Sequence, residues 1–350
     1  MSRGRFAACA AVLASSWLLA GCGGGEGGVT TPQSPPVAAP TGRDMFLLFP
    51  NPQQAPAVPA FATSASPPIN SLEYASAYYA AIDPRNEKDT LAKWKAVNGF
   101  GSGSGTEVTA VFGDTRDLGY GRRMTGRISA DGKSVAFIVE NYQVDPGGSY
   151  GYSPSSLEAA VRGDTRWRIL INAIEWSPGP NGGASFAKFF NFDPVSGQRS
   201  IEVDLDGRGA KFMPGPCLTC HGGRGDALVP DSNANGKLAF QLVRNAVSGT
   251  AGDTQARMAP LEVGHFDFSP LAGFTRSEQE QKLKTMNLFV LCTYPLADNA
   301  APLVPAALCS RRPAGDSEWQ GTAADLLQNA YGGGTLPSAR YEDALLPNHS

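Results

Sequence analysis

The sequence predicts an α+β fold: N-terminal helices and an antiparallel β layer, followed by a loop-rich and helical C-terminal part. Three observations predict it. Apolar residues recur at helical spacing between about residues 70 and 98. Short β-branched or aromatic runs separated by Gly, Pro and Asp turns then occupy residues 107–205, and helical spacing returns after Thr275.

Two segments of different composition precede the first helix. Arg3 and Arg5 form a basic n-region, Phe6 to Ala20 form an apolar stretch, and Leu19-Ala20-Gly21-Cys22 places small residues before a cysteine. Residues 1–21 therefore read as a lipoprotein signal peptide, since the stretch is too short to span a bilayer comfortably. Cleavage before Cys22 and acylation of its thiol would tie the chain to a lipid membrane, because several acyl chains anchor stably where one does not. The competing reading is an ordinary secreted protein. Gly23 follows Cys22 where an acid could stand, which resembles sorting of proteobacterial lipoproteins to the outer membrane. The expected location is the cell envelope, at the outer membrane facing the periplasm or the cell surface. Residues 22–69 are rich in Gly, Pro and Ala with few charges, and read as a disordered tether. At about 3.1 Å per residue in polyproline geometry, it reaches on the order of 100 Å. Met45-Phe-Leu-Leu-Phe49 is an apolar patch within it, with no assigned function.

Residues 70–206 form the β-rich α+β part. Asn70 with Glu73 makes a capping-box pattern, and Leu72, Tyr74, Ala75, Tyr78, Tyr79 and Ile82 give a helix that Pro84 ends. Asn86 is expected to cap a second helix, with Leu91, Trp94 and Val97 on one side and Gly99 at its end. Strands are expected over 107–112, 134–139, 169–176, 186–192 and 200–205, with Asp131-Gly132 turning a hairpin that Arg127-Ile128 enters.

Residues 207–350 carry the chemistry. In Cys217-Leu-Thr-Cys-His221, two residues separate the thiols and an imidazole follows at once. That is the spacing of covalent c-type haem attachment, in which the thiols of Cys217 and Cys220 add to two vinyl groups and His221 becomes an axial iron ligand. A thioredoxin-like pair would follow a strand in a βαβ pattern and would not require His221, whereas Pro214 and Pro216 lead in here and Gly222-Gly223 lead out. A structural zinc site needs four ligands, and the sequence holds 3 histidines and no second Cys-x-x-Cys.

Further on, Asp231-Ser-Asn-Ala-Asn-Gly236 matches the first half of an EF-hand loop, but position twelve is Leu242, so a plain turn is the better reading of 231–242. Asp204-Leu-Asp-Gly207 is similarly incomplete. Thr275 or Ser277 can cap a helix with the stripe Leu283, Met286, Phe289 and Val290, and a last helix is expected over 322–331. Five residues are candidates for the second axial position: Met213, Met258, His265, Met286 and His349. Met213 stands too near Cys217 to cross the ring, Met286 belongs to a helix stripe, and His349 is terminal. Met258, in the Pro-bounded loop Ala-Arg-Met-Ala-Pro260, is preferred slightly to His265.

Of the 6 cysteines, Cys9 leaves with the signal, Cys22 takes lipid and Cys217 and Cys220 take haem. Cys292 and Cys309 remain, and outside the cytoplasm they are expected to form a disulfide; two unrelated buried thiols are the alternative. Taking Arg3 and Arg5 from 29 basic residues leaves 27 against 32 acidic, a net of −5, which argues against nucleic acid as a partner.

Asp204-Leu-Asp-Gly-Arg-Gly209 running into Cys-Leu-Thr-Cys-His-Gly-Gly223 resembles bacterial exported c-type cytochromes, many of them lipoproteins of unassigned role. Asp117-Leu-Gly-Tyr-Gly-Arg122, the Ser277 helix and Tyr331-Gly-Gly333 are similar to the same group, so the likeness covers most of residues 90–335. Members often continue into a second Cys-x-x-Cys-His; this sequence carries one such motif, and one haem c is expected. In the first of two competing readings, His221 and a second protein ligand saturate the iron and the protein passes single electrons to a redox partner protein. The alternative is a haem enzyme, peroxidase- or oxygenase-like, with an open sixth iron position. The absence of an acid/base cluster elsewhere in the sequence favours electron transfer. A structural or sensing lipoprotein that carries haem is a third reading.

Overall fold

The computed structural model describes residues 71–115, 118–144, 152–205, 209–223 and 252–293, with the backbone alone of 228–230 and 238–240. Helix α1 spans Leu72–Ile82. Its cap is Ser71, one residue after the expected Asn70, and the Ser71 hydroxyl accepts from Tyr74 N at 3.1 Å. Helix α2 spans Leu91–Val97 and is capped by Thr90, not by Asn86. The turn between the helices consumes Asn86. Asp83 accepts from the backbone N of Glu87 and Lys88 at 2.8 and 3.0 Å, and Asn86 takes a φ of 56° within that turn. Trp94 is the buried residue of α2, while Val97, expected beside it, is 54% exposed.

The strands that follow are β1 (Thr106–Asp114), β2 (Gly121–Ile128) and β3 (Val135–Tyr142). The Asp131 carboxylate accepts from Ser129 Oγ at 2.6 Å and Lys133 N at 3.1 Å, which shapes the expected β2–β3 hairpin. Helix α3 (Pro154–Arg162) was not expected, although Ser153 as cap, Pro154 at its start and Gly163 at φ 63° mark both ends. After it come β4 (Arg168–Gly179), β5 (Gly183–Phe192) and β6 (Arg199–Ser200). Residues 200–205 are not one strand. β6 pairs with β5, whereas β7 (Glu202–Val203) pairs with β8 (Lys211–Phe212), so the chain leaves the large sheet at Ile201 for a two-stranded one. That step delivers it to helix α4 (Gly215–His221). Strands β9 (Leu228–Pro230) and β10 (Leu238–Phe240) pair with each other. Strand β11 (Phe266–Asp267) joins the far edge of the large sheet, and α5 (Arg276–Leu291) follows.

The architecture is mixed α+β, with an antiparallel seven-stranded sheet in the order β11-β1-β2-β3-β4-β5-β6 and five helices among the described residues. Side chains alternate across it. Ala110, Phe112, Met124, Val135 and Phe137 meet α5 through Met286 and Phe289, while Ala136, Ile138, Ala173 and Phe190 form a second cluster with Trp94. Glu278 accepts from Thr275 N at 3.0 Å, so Thr275 opens α5. Leu283, Met286, Phe289 and Val290 are all at most 2% exposed, and the expected stripe is core. None of the described helices is long and apolar enough to cross a membrane.

Helix α3 lies against β2 so closely that a Cβ at Gly121 would stand 1.9 Å from the Ser156 carbonyl oxygen. Gly121→Ala should therefore lower stability by about 1–3 kcal/mol, read as a shift of the denaturant midpoint at unchanged slope. A midpoint equal to the wild type would mean that α3 does not pack as described.

The signal, the tether, the expected helix over 322–331, most of the 231–242 loop, Asp117, Cys22, Cys309 and His349 lie outside the described residues.

Candidate functional site

Helix α4 is short, and its composition explains both ends. Pro216 sits in the first turn, where a missing N–H is harmless, and Gly222 follows the last residue at φ 65°. Within it Cys217, Cys220 and His221 stand at i, i+3 and i+4, the spacing that shares one helix face. Leu218 and Cys217 pack against the cluster around α1 and β5, and Cys217 Sγ lies 3.9 Å from Met213 Sδ. Cys220 is exposed, and both cysteines are thiols. Burial, and then the charge of Cys220, pushes the Cys217 thiol well above its ordinary range.

The imidazole of His221 is held from behind. Its Nδ1 lies 2.9 Å from the Arg257 carbonyl oxygen, and Arg257 N returns a bond to the His221 carbonyl at 2.9 Å. A carbonyl can only accept, so Nδ1 carries the proton and Nε2 keeps its lone pair. Phe189 of β5 places its ring 5.2 Å from the imidazole, tilted by 45°. Burial lowers the His221 pKa; the Arg257 carbonyl opposes this and the positive charge of Arg122 adds to it. The result is a neutral ring at neutral pH. Gly223 makes the clamp possible, because its φ is 110° and a Cβ there would meet the Thr254 carbonyl oxygen at 2.6 Å. Gly223 thus lets the 252–258 segment lie against the turn.

The other candidates are distributed differently. Met258 is 3% exposed and belongs to the α5-side cluster, directly after the residue that bonds to Nδ1. Met213 is 0% exposed beside Cys217, and Met286 is 0% exposed within the α5 stripe. The His265 side chain is 41% exposed, 3.6 Å from Glu262, at the β11 edge of the sheet, where its carbonyl oxygen accepts from Thr115 N. Cys292 is 2% exposed and disulfide-bonded; Cys309, its expected partner, lies outside the described residues. Among the described residues no three His, Cys, Asp or Glu side chains converge as a metal-binding group.

Sequence reasoning missed Arg257 and Phe189. Arg257 acts through its carbonyl, which no side-chain pattern announces, and Phe189 reads as one more apolar strand residue. Compared with known protein families, curated proteins and solved structures, the chain matches none.

Proposed function

We propose that the protein is a membrane-anchored c-type cytochrome of the bacterial cell envelope, carrying one covalent haem and passing single electrons to a redox partner protein. The observation that carries this reading is the backing of His221: a neutral imidazole with Nδ1 tied to a backbone carbonyl and Nε2 left as donor is the form an iron ligand requires. The donor set fits the group, since two thiols and that imidazole share one face of α4. Cys217 and Cys220 would hold the haem through thioethers and His221 through Nε2. When bound, the haem supplies one-electron redox chemistry. The chain's own residues fix the imidazole's orientation through Arg257, pack Phe189 beside it and set the partly buried Leu218 against the α1 and β5 cluster as a footing for α4. Anchoring through acylated Cys22 at the outer membrane, and the Cys292–Cys309 disulfide, belong to the same proposal. Nucleic acid has no part in it.

The test is expression with a c-type maturation system, followed by acid-acetone extraction and a pyridine haemochrome spectrum. Haem that stays with the polypeptide and gives a c-type spectrum supports the proposal. Extractable haem, or stoichiometric zinc in its place, would refute it. Intact mass of the mature N-terminus should show acylated Cys22.

The placement of Met258 favours a second reading of the iron's other side. Met258 follows Arg257, whose carbonyl bonds Nδ1, and is packed in the α5 core, so we assign it to packing, although its loop makes it the preferred second ligand by sequence. His265, beside Glu262 at the sheet edge, is assigned to that edge. An open or exchangeable sixth position, the haem-enzyme alternative, is the reading these two placements support. Met258→Ala should then lower stability by about 2–5 kcal/mol while leaving the oxidised haem spectrum unchanged. A sulfur-to-iron charge-transfer band that disappears in Met258→Ala would return Met258 to the iron and favour electron transfer alone.

A further inference from the structure

Across β4 and β5, Glu175 and Lys188 stand opposite each other in register, and both are buried, at 0% and 1% exposure. Lys88, from the turn between α1 and α2, reaches the same carboxylate oxygen at 2.5 Å, and Lys188 Nζ lies 3.9 Å from it. Two ammonium groups on one carboxylate would leave a net positive charge in the interior, which costs several kcal/mol. Other contacts work the opposite way. Lys188 Nζ donates to Ser177 O and Ser177 Oγ at 2.7 Å each and to Pro178 O at 3.2 Å, and it stands 4.2 Å over the Phe186 ring. From α2, Asn98 donates to the second carboxylate oxygen of Glu175 at 2.8 Å. From the 252–258 segment, Asp253 adds a negative charge that favours the ammonium. Burial prevails over these, and the amine is pushed down to about 7, with Glu175 and Asp253 opposing the shift and Lys88 reinforcing it.

The next residue along β5 is Phe189, whose ring touches the imidazole of His221 from the other face of the sheet. Alternate projection from one strand separates the amine from that imidazole by on the order of 15 Å. The geometry points to Lys188 as a redox-linked proton site: it binds a proton when the haem site gains an electron and releases it when the electron leaves. This rests on the proposed haem attachment. The balance is complete, with one electron from a one-electron donor going to the iron and a proton from solvent going to the amine nitrogen. At that separation and an effective dielectric constant near 20, the two events should shift each other by roughly one pKa unit or less.

The test has two arms. Side-chain NMR of labelled lysine follows Lys188 across pH 5–10 in the dithionite-reduced and the oxidised holoprotein, while the midpoint potential is measured across the same range. Lys188 is expected to titrate near neutrality, and at higher pH in the reduced protein. The potential should fall as pH rises through that window, and the slope should vanish in Lys188→Met. In Lys88→Met the window should move to higher pH, because Lys188 then holds Glu175 alone. Identical titrations in both redox states, or a slope that persists in Lys188→Met, would overturn the inference while covalent haem in the same samples leaves the proposed function standing. Protein that fails to retain haem would remove both. The NMR arm on the wild type stands whether or not Lys188→Met folds.

Discussion

Cys220→Ala is expected to lose two-point haem attachment with stability within about 0.5 kcal/mol of the wild type, because Cys220 is exposed. Cys217→Ala should lose attachment equally and also cost roughly 1 kcal/mol, because Cys217 packs in the cluster that contains Met213 and Leu218. A variant that matures on a single thioether keeps one vinyl group conjugated, so its haemochrome band should move to the red of the wild-type position. His221→Ala separates attachment from ligation: both thiols remain, so haem should stay covalent while the absorption spectrum of the native holoprotein, without pyridine, reports loss of the imidazole. The measurements are the haemochrome spectrum, the yield of covalent haem and denaturant unfolding of each variant. Wild-type haem yield and band position in Cys220→Ala would end the assignment of α4 as an attachment site. Wild-type stability in Cys217→Ala would instead correct the packing described for that sulfur.

Glu175→Ala should remove about 3–5 kcal/mol of stability, the largest single loss expected outside the apolar core. The carboxylate is fully buried and receives Lys88 Nζ, Ser177 Oγ at 2.8 Å and Asn98 Nδ2 at 2.8 Å. Without it Lys88, whose side chain is 13% exposed, can turn toward water, but Lys188, at 1%, cannot. The Lys188 amine then loses its counter-charge and gives up its proton, while Ser177 Oγ and Asn98 Nδ2 lose their buried acceptor. Adding Lys188→Met should recover at least about 1 kcal/mol of the loss, a non-additivity that identifies the pair as the cause. Burial works to raise the Glu175 carboxyl, but Lys88 and then Lys188 outweigh it and hold it below its usual range. Glu175 therefore contributes stability above the carboxylate range that is lost as pH falls through it. Lys188 has a dependence of the same sign in a higher window. Its folded value of about 7 lies below the ordinary 10.5, so between those values the unfolded chain binds more protons, and stability should rise with pH across that window. Denaturant midpoints at pH 5, 7 and 9 should increase in that order in the wild type, and the 7-to-9 increase should shrink in Lys188→Met. A flat profile from 7 to 9 would mean that Lys188 keeps its proton in the folded state.

The elements least legible in the sequence are those whose polar residues find distant partners. Of β2, which runs from Gly121 to Ile128, the sequence pattern marks Arg127 and Ile128 alone. Arg122, Arg123 and Arg127 break the apolar alternation that marks a strand, and each is absorbed by another element. Arg122 pairs with Asp114 at 2.7 Å, Arg123 donates to the Ala160 and Val161 carbonyls of α3, and Arg127 donates to the Ser104 carbonyl at 2.7 Å. Helix α3 escaped notice although its cap, proline and glycine are all local signals, since it is only 9 residues long and Ser156, Ala159 and Ala160 make most of its buried face small beside Leu157 and Val161. Helix α5 shows the contrary case, with a capping box and four large apolar residues on one stripe.

By itself the sequence determined the antiparallel runs, the helices with strong stripes, and the spacing that sets two thiols and an imidazole on one short helix. These are properties of chain period and covalent geometry, fixed within a few residues of one another. Only the tertiary structure decided what stands behind the imidazole. Arg257 is 36 residues from His221 in the chain and contributes a carbonyl, Phe189 arrives from β5, and Met258 follows Arg257 into the α5 core. The pairing of Glu175 with both Lys88 and Lys188 was decided there too. A buried charge or a ring nitrogen takes whatever partner strand register and chain return bring within about 3 Å, and neither composition nor periodicity encodes that return.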